Sequence, residues 1–173
     1  MKTQLIYMTP SGRAHSIETL TRKLWEYDQI CAERAIAHEL SGDGWHDNPH
    51  FNRLQQLEAD KSREVASLKA NISNARIVHV DINDRPTDAV RIGSIVQLST
   101  RTNSSNCALR RTWEIVGFDE TDLATMKLAY NSPLGQAIIG HEEGEEVAVN
   151  LAEGLTTVVI EALLTESVTS DHR

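Results

Sequence analysis

Between Gly12 and Gly42 the chain contains no glycine and no proline. Those two residue types interrupt helices most strongly, one by excess backbone freedom and the other by a missing N–H and a steric clash. Inside that window Ile17, Leu20, Leu24, Tyr27 and Cys31 recur at spacings of 3, 4, 3 and 4. This is the apolar seam of a coiled coil. Thr9-Pro10 marks its start, because Thr can cap and Pro is tolerated at the first helical position. A helix of about 31 residues is ~46 Å long at ~1.5 Å per residue, too long to pack on itself.

The stretch SGDGWHDNPHF at 41–51 interrupts it, and a second helix is predicted from Pro49 with Asn48 as its N-cap. Its seam runs through Leu54, Leu57 or Glu58, Lys61, Val65, Leu68, Ile72 and Ala75. Lys61 is a polar interruption of the kind that sets register in helix pairs. A linker this short forces the helices antiparallel. Residues 1–76 are therefore expected to form an antiparallel α-helical coiled-coil hairpin with an acidic tip at 41–49.

After Asn74 the period changes. Ile77, Val78 and Val80 suggest a strand, and DINDRPTD at 81–88 a turn-rich linker, so 77–88 is assigned as strand and linker. Strand-like segments follow from Ile92 to Leu98, Arg111 to Val116, Met126 to Tyr130, Glu146 to Leu151 and Thr156 to Leu163. One short helix is expected at 133–139, capped by Ser132, opened by Pro133 and stopped by Gly140. Strands with one helix packed on them make 89–164 a small α+β domain. The polar tail at 165–173 is expected to fray.

The formal net charge is −8. That excludes adhesion to nucleic acid over the whole surface, which needs a cationic face. Residues 88–163 carry eleven carboxylates against five basic side chains, whereas Arg34, Arg53, Lys61 and Arg63 lie on the tip-ward part of the hairpin. Two cysteines, Cys31 and Cys107, are too few and too far apart for a disulfide framework or a zinc site. With no secretory h-region and no run of 18 apolar residues, a cytoplasmic protein without a membrane partner is expected.

A helical hairpin, then TWEIVGFDETD, then NSPLGQAIIGHEEGEEVAV resembles the GreA/GreB family of bacterial transcript cleavage factors over roughly residues 8–163. The specific matches are Gly42-Asp43, Ile115-Val116-Gly117, Asn131-Ser132-Pro133-Leu134 and Ile139-Gly140. The resemblance implies an FKBP-like C-terminal domain that docks on RNA polymerase, and a coiled coil that enters the polymerase's secondary channel. At its end, tip acids help hold a Mg²⁺ shared with the polymerase, which then cuts backtracked RNA near its 3′ end. The factor is itself no enzyme and, when free, holds no metal. It is expected to act as a monomer on RNA polymerase and the nascent RNA 3′ end.

Carried onto this chain, the resemblance makes Asp43, Asp47 and Asn48 the tip residues acting in the polymerase site, with Asp43 and Asp47 the Mg²⁺ ligands. Oxygen donors suit that hard cation. Trp45, Phe51, Arg34 and Arg53 become contacts to RNA or polymerase, and Asp119, Glu120, Asp122, Ser132 and Pro133 the docking residues. The tip departs from the family pattern in three ways: Gly44-Trp45-His46 adds a residue between the acids, Asp47 replaces Glu, and Pro49-His50 replaces Ala-Glu. Those changes support an alternative, a channel-binding regulator that tunes transcription without cleavage. His46 and His50 could form a metal site, but Pro49 breaks the helical spacing that would aim both rings together. Trp45 either anchors on a partner or packs back on the hairpin.

Overall fold

A computed structural model describes residues 5–102, 108–152 and 154–166; for Asp43, Trp45, His46 and Thr102 it describes the backbone alone. Strand β1 (Ile6–Met8) leads into helix α1 (Pro10–Ser41), a 3₁₀ segment (Gly42–Asp47), helix α2 (Pro49–Asn74) and strand β2 (Ala75–Ile77). Then come β3 (Ile95–Thr102), β4 (Leu109–Val116), β5 (Lys127–Ala129), helix α3 (Pro133–Ile138), β6 (Glu146–Leu151) and β7 (Gly154–Leu164). The chain divides into two compact units, one built on Arg13–Ala75 and the other on Tyr7–Gly12 with the residues from Arg76 onward. Residues 7–12, expected within the N-terminal hairpin, thus belong to the second unit, because Phe118 N–H donates to Tyr7 O (2.8 Å) and Val78 N–H to Met8 O (2.9 Å). The expected strand at 77–80 instead lies at Ala75–Ile77, where it pairs with β1. Most of the tail, 167–173, lies outside the described residues.

Local chemistry starts and stops each helix. Thr9 Oγ1 accepts the Gly12 N–H (3.0 Å), capping α1 as expected. Gly42, at φ 52°, occupies the left-handed conformation that ends α1 and that a side chain would resist. Asn48 caps α2, with Oδ1 accepting from His50 N–H (2.9 Å) and Phe51 N–H (3.3 Å). Its Nδ2 donates to Ser41 Oγ (2.5 Å), which ties the two helix ends together.

Side-chain pairs in the first unit fix an antiparallel hairpin. Ala37, Phe51 and Leu54 form a small buried cluster near the tip. Farther along, Arg34 pairs with Glu58, Lys61 with Glu26 (3.0 Å) and Lys23 with Glu64 (2.8 Å). Glu58, not Leu57, is the inward member of the α2 seam, and Leu57 is 40% exposed. The α1 seam is less buried than its spacing predicts, since Ile17 and Leu24 are each about 40% exposed. Partly exposed ion pairs bridge the two helices beside that seam, and Lys61 is the centre of a network rather than an isolated interruption.

That network has a pH signature. Hydrogen bonds from Lys23 and then Lys61 hold the Glu64 carboxyl below its ordinary range, and those to Glu26 and Glu64 hold the Lys61 ammonium above its own. A lowered carboxyl stabilises above its unfolded pKa, and that contribution is lost as pH falls through the folded value. A raised ammonium stabilises below its unfolded pKa and is lost as pH rises through the folded value. Lys61→Met is therefore expected to lower the melting temperature of the full chain modestly at neutral pH. The difference should vanish below the glutamate range; a gap unchanged in acid would remove the network from the account.

In the second unit a five-stranded sheet has the order β5-β4-β3-β7-β6. All neighbours are antiparallel except β4 and β5. Val96, Leu98, Trp113, Ile115, Ile138, Val158 and Ile160 are buried together, so α3 packs through Ile138 into the core of the sheet. The result is the expected α+β class. Strand β3 starts three residues later than the sequence suggests, because Gly93 turns the chain at φ 97°. It then runs on through polar residues to Thr102. Arg85 pins the preceding linker, donating to Gly93 O (2.7 Å) and Glu114 Oε1 (3.0 Å).

Candidate functional site

The hairpin tip is short and closed. Gly42–Asp47 form a single 3₁₀ segment between two capped helix ends, with Asp47 exposed beside the N-cap of α2. The side chains of Asp43, Trp45 and His46 lie outside those described, so the expectations placed on them rest on sequence and backbone position. Among the described residues no group of three or more His, Cys, Asp or Glu converges to hold a metal ion. An exposed carboxylate such as Asp47 is nonetheless a suitable hard donor to an ion that another molecule holds.

Three tip expectations change. Phe51, expected to touch RNA or polymerase, is 3% exposed and packs inside the hairpin with Ala37 and Leu54; burial of an aromatic ring against the opposite helix outweighs display. Asn48, expected among the acting tip residues, has its amide engaged on both sides by the cap and by Ser41. Arg34, expected to steer RNA phosphates, is ion-paired with Glu58 across the hairpin, so its charge is largely compensated within the unit. Arg53 is exposed on α2, where a phosphate could reach it.

In the second unit the expected docking residues gather around the turn between β4 and β5 and the start of α3. Asp119, at φ 56°, pairs reciprocally with Asn131: its N–H donates to Oδ1 (2.9 Å), and Nδ2 donates back to its carboxylate (2.8 Å). Asp122 closes the next turn, accepting from the Thr125 hydroxyl (2.7 Å) and Ala124 N–H (2.9 Å), which together lower its carboxyl pKa. Ser132 caps α3, accepting from Gly135 N–H (3.1 Å), and Pro133 is exposed at the first helical position. Leu123 was not anticipated. It sits 69% exposed directly after Asp122, and its only sequence signal is an apolar residue inside DETDLAT.

Glu120 departs furthest from the docking role. Its carboxylate accepts from Thr9 N–H (2.8 Å) and the Thr9 hydroxyl (2.6 Å). It also lies where a Cβ on Gly12 (1.9 Å) or Gly117 (2.1 Å) would collide with it. A side chain at Gly12 would displace the Glu120 carboxylate, one at Gly117 would also meet the Thr9 backbone N at 2.8 Å, and Glu120 is an internal tie to the first turn of α1. Glu120→Ala should cost about 1–3 kcal/mol in urea unfolding, the usual penalty for stripping a charged acceptor from half-buried donors. Glu120→Gln should lose less, and equal losses would mean the charge is irrelevant.

A helical hairpin with an exposed acid beside its turn, joined to a sheet-and-helix unit whose polar turns cluster at one helix start, defines a two-part α+β factor. Residues 85–164 match the family model described as transcription elongation factor, GreA/GreB, C-term. A transcription elongation factor GreA of Thioalkalivibrio sulfidiphilus is 28% identical over 147 residues, 85% of this chain and 89% of that protein. That of Francisella tularensis subsp. novicida is 23% identical over 94% of this chain and 98% of its own. Among solved structures the chain is similar to Gfh1 of Thermus aquaticus, at 20% identity, a TM-score of 0.42, and coverage of 93% and 99%. Residues 85–164 thus match the C-terminal domain of the GreA/GreB family, and most of the chain is similar to GreA factors. Among the described residues no helix is long and apolar enough to cross a membrane.

Proposed function

We propose that this chain is an elongation factor that binds RNA polymerase as a monomer and places its hairpin in the secondary channel. There it stimulates cleavage of backtracked nascent RNA near the 3′ end, with the polymerase supplying the catalytic centre. The single observation that carries this reading is Asp47, an exposed carboxylate at the turn of a long hairpin in a chain similar to GreA factors. Asp43 and Asp47 would share a Mg²⁺ with the polymerase; the ion would supply a polarised water and neutralise charge on the scissile phosphate. This chain's own contribution is two negative charges presented at the end of a helix pair whose α1 is ~48 Å long. Two carboxylates on one turn cannot hold a metal alone, so the isolated protein should have no nuclease activity. The 119–133 turns are the proposed docking surface, with Asp119, Asp122 and Pro133 outward and Leu123 added to them.

A second reading is favoured by the tip itself. His50 stands where the family pattern has a further acid, Asn48 is committed to capping, and Phe51 is buried. A tip with two acids could occupy the channel and restrain synthesis without aiding cleavage. Backtracked elongation complexes assembled with the host's polymerase separate the two. Faster release of 3′ fragments in Mg²⁺ is the expected result, whereas slowed synthesis with unchanged cleavage would transfer the assignment to the regulator.

A further inference from the structure

The ion pairs that bridge the two helices have an apolar counterpart on the outside of the hairpin. Trp25, Ile36 and Leu40 of α1 are 64%, 56% and 83% exposed. Their spacings of 11 and 4 return to one side of a helix, forming a stripe about 22 Å long. Lys23 and Arg34, which pair with α2, lie about 100° or more round from each of its residues. The helix is thus partly inverted, with charges toward its partner helix and large apolar side chains toward solvent. Nothing in the stability of the hairpin accounts for that arrangement.

We infer that this stripe is a contact surface for a protein groove with an apolar floor and a cationic rim, and that on the function proposed above the groove lies in the polymerase channel wall. Two observations select that occupant. The stripe is flanked by the exposed acids Asp28, Glu33 and Glu39, which outnumber the exposed Arg22 one turn before Trp25, and the one Lys or Arg in 28–41, Arg34, is engaged by Glu58. Such a surface repels RNA and complements basic protein side chains. The three side chains together expose on the order of 400 Å², about half of what each partner buries in a stable dimer. A second copy of the chain is therefore a poor occupant, whereas a contact that adds to docking made elsewhere needs no more area.

The test uses the full chain and the host's RNA polymerase, after binding of the unaltered protein has been measured. Ile36→Asp with Leu40→Asp should weaken binding at least tenfold while helix content by circular dichroism is unchanged. Glu33→Lys with Glu39→Lys should also weaken it and flatten its dependence on salt. A photoreactive phenylalanine replacing Leu40 should cross-link to a polymerase subunit. Undiminished binding by the aspartate variant, tighter binding by the lysine variant, or cross-links to RNA or to a second copy would each overturn the inference but leave the proposed function standing. Failure of the unaltered chain to bind polymerase would overturn both.

Discussion

Asp43→Ala combined with Asp47→Ala is expected to abolish stimulated cleavage of backtracked transcripts while leaving polymerase binding near that of the unaltered chain. The expected loss in rate is on the order of a hundredfold or more, the scale set by displacing a catalytic group by ~1 Å; here the groups are removed. The two acids bracket the 3₁₀ segment at its second and last positions. That segment is pinned at both ends, by Gly42 at φ 52° and by the Asn48–Ser41 bond. Truncating the side chains at Cβ removes charge without touching either pin, so the helix pair should persist. The single variants discriminate further. If Asp47→Ala alone loses as much as the pair, the acids act as one unit on a shared ion. If each loses a small share and the shares multiply, they act independently through the local field. A double variant that still cleaves at the original rate would remove the tip acids from the mechanism.

Much of the architecture was legible because its signals are local. Capping by Thr9, Asn48 and Ser132, proline at the first position of all three helices, and the change of period after Asn74 are short-range effects written in adjacent residues. Strand β6 was found at its full extent for the same reason, since alternation in EVAVNL survives burial on one face. What escaped depends on partners far away in the chain. Strand β1 has only three residues, and its place is set by β2 and by Phe118. The polar end of β3 is carried into the sheet by pairing with β7, not by its own composition.

The site was less legible than the fold, and for a related reason. Sequence names a carboxylate but not what it faces. Glu120 and Asp122 look alike in DETD, yet one holds the backbone of Thr9, 111 residues earlier, and the other only its own turn. Likewise the α1 seam was read from Ile17, Leu20, Leu24, Tyr27 and Cys31, the most hydrophobic positions at the right spacing. A seam built partly on Lys23, Glu26 and Arg34 gives no apolar signal and can be recognised only with its α2 partners in view.

Phe51→Ala should produce the largest loss of stability among single changes in the hairpin, about 3–5 kcal/mol as for other buried aromatic truncations. Among the described residues Phe51 is 3% exposed in a buried cluster with the smaller Ala37 and Leu54, and its ring lies 5.8 Å from that of His38. Toward the other end, seam residues such as Leu20, Val65, Leu68 and Ile72 are only half-buried, and the ion pairs beside them join partly exposed side chains, each worth little. Among the described residues the apolar anchoring near the tip therefore centres on this ring. Its loss should be felt first as fraying of α1 and α2 beside Ser41 and Asn48, raising amide hydrogen exchange there before it rises in the sheet. Phe51→Leu, which refills part of the volume, should recover more than half of the loss, while Phe51→Tyr asks the site to bury a hydroxyl and should recover less. Function provides the sharper discrimination. If Phe51 serves only to hold the tip, Phe51→Leu should restore cleavage in proportion to stability. A Phe51→Leu variant that is stable, binds polymerase and fails to cleave would show that the ring acts on the partner after all, and would reverse its assignment to the interior.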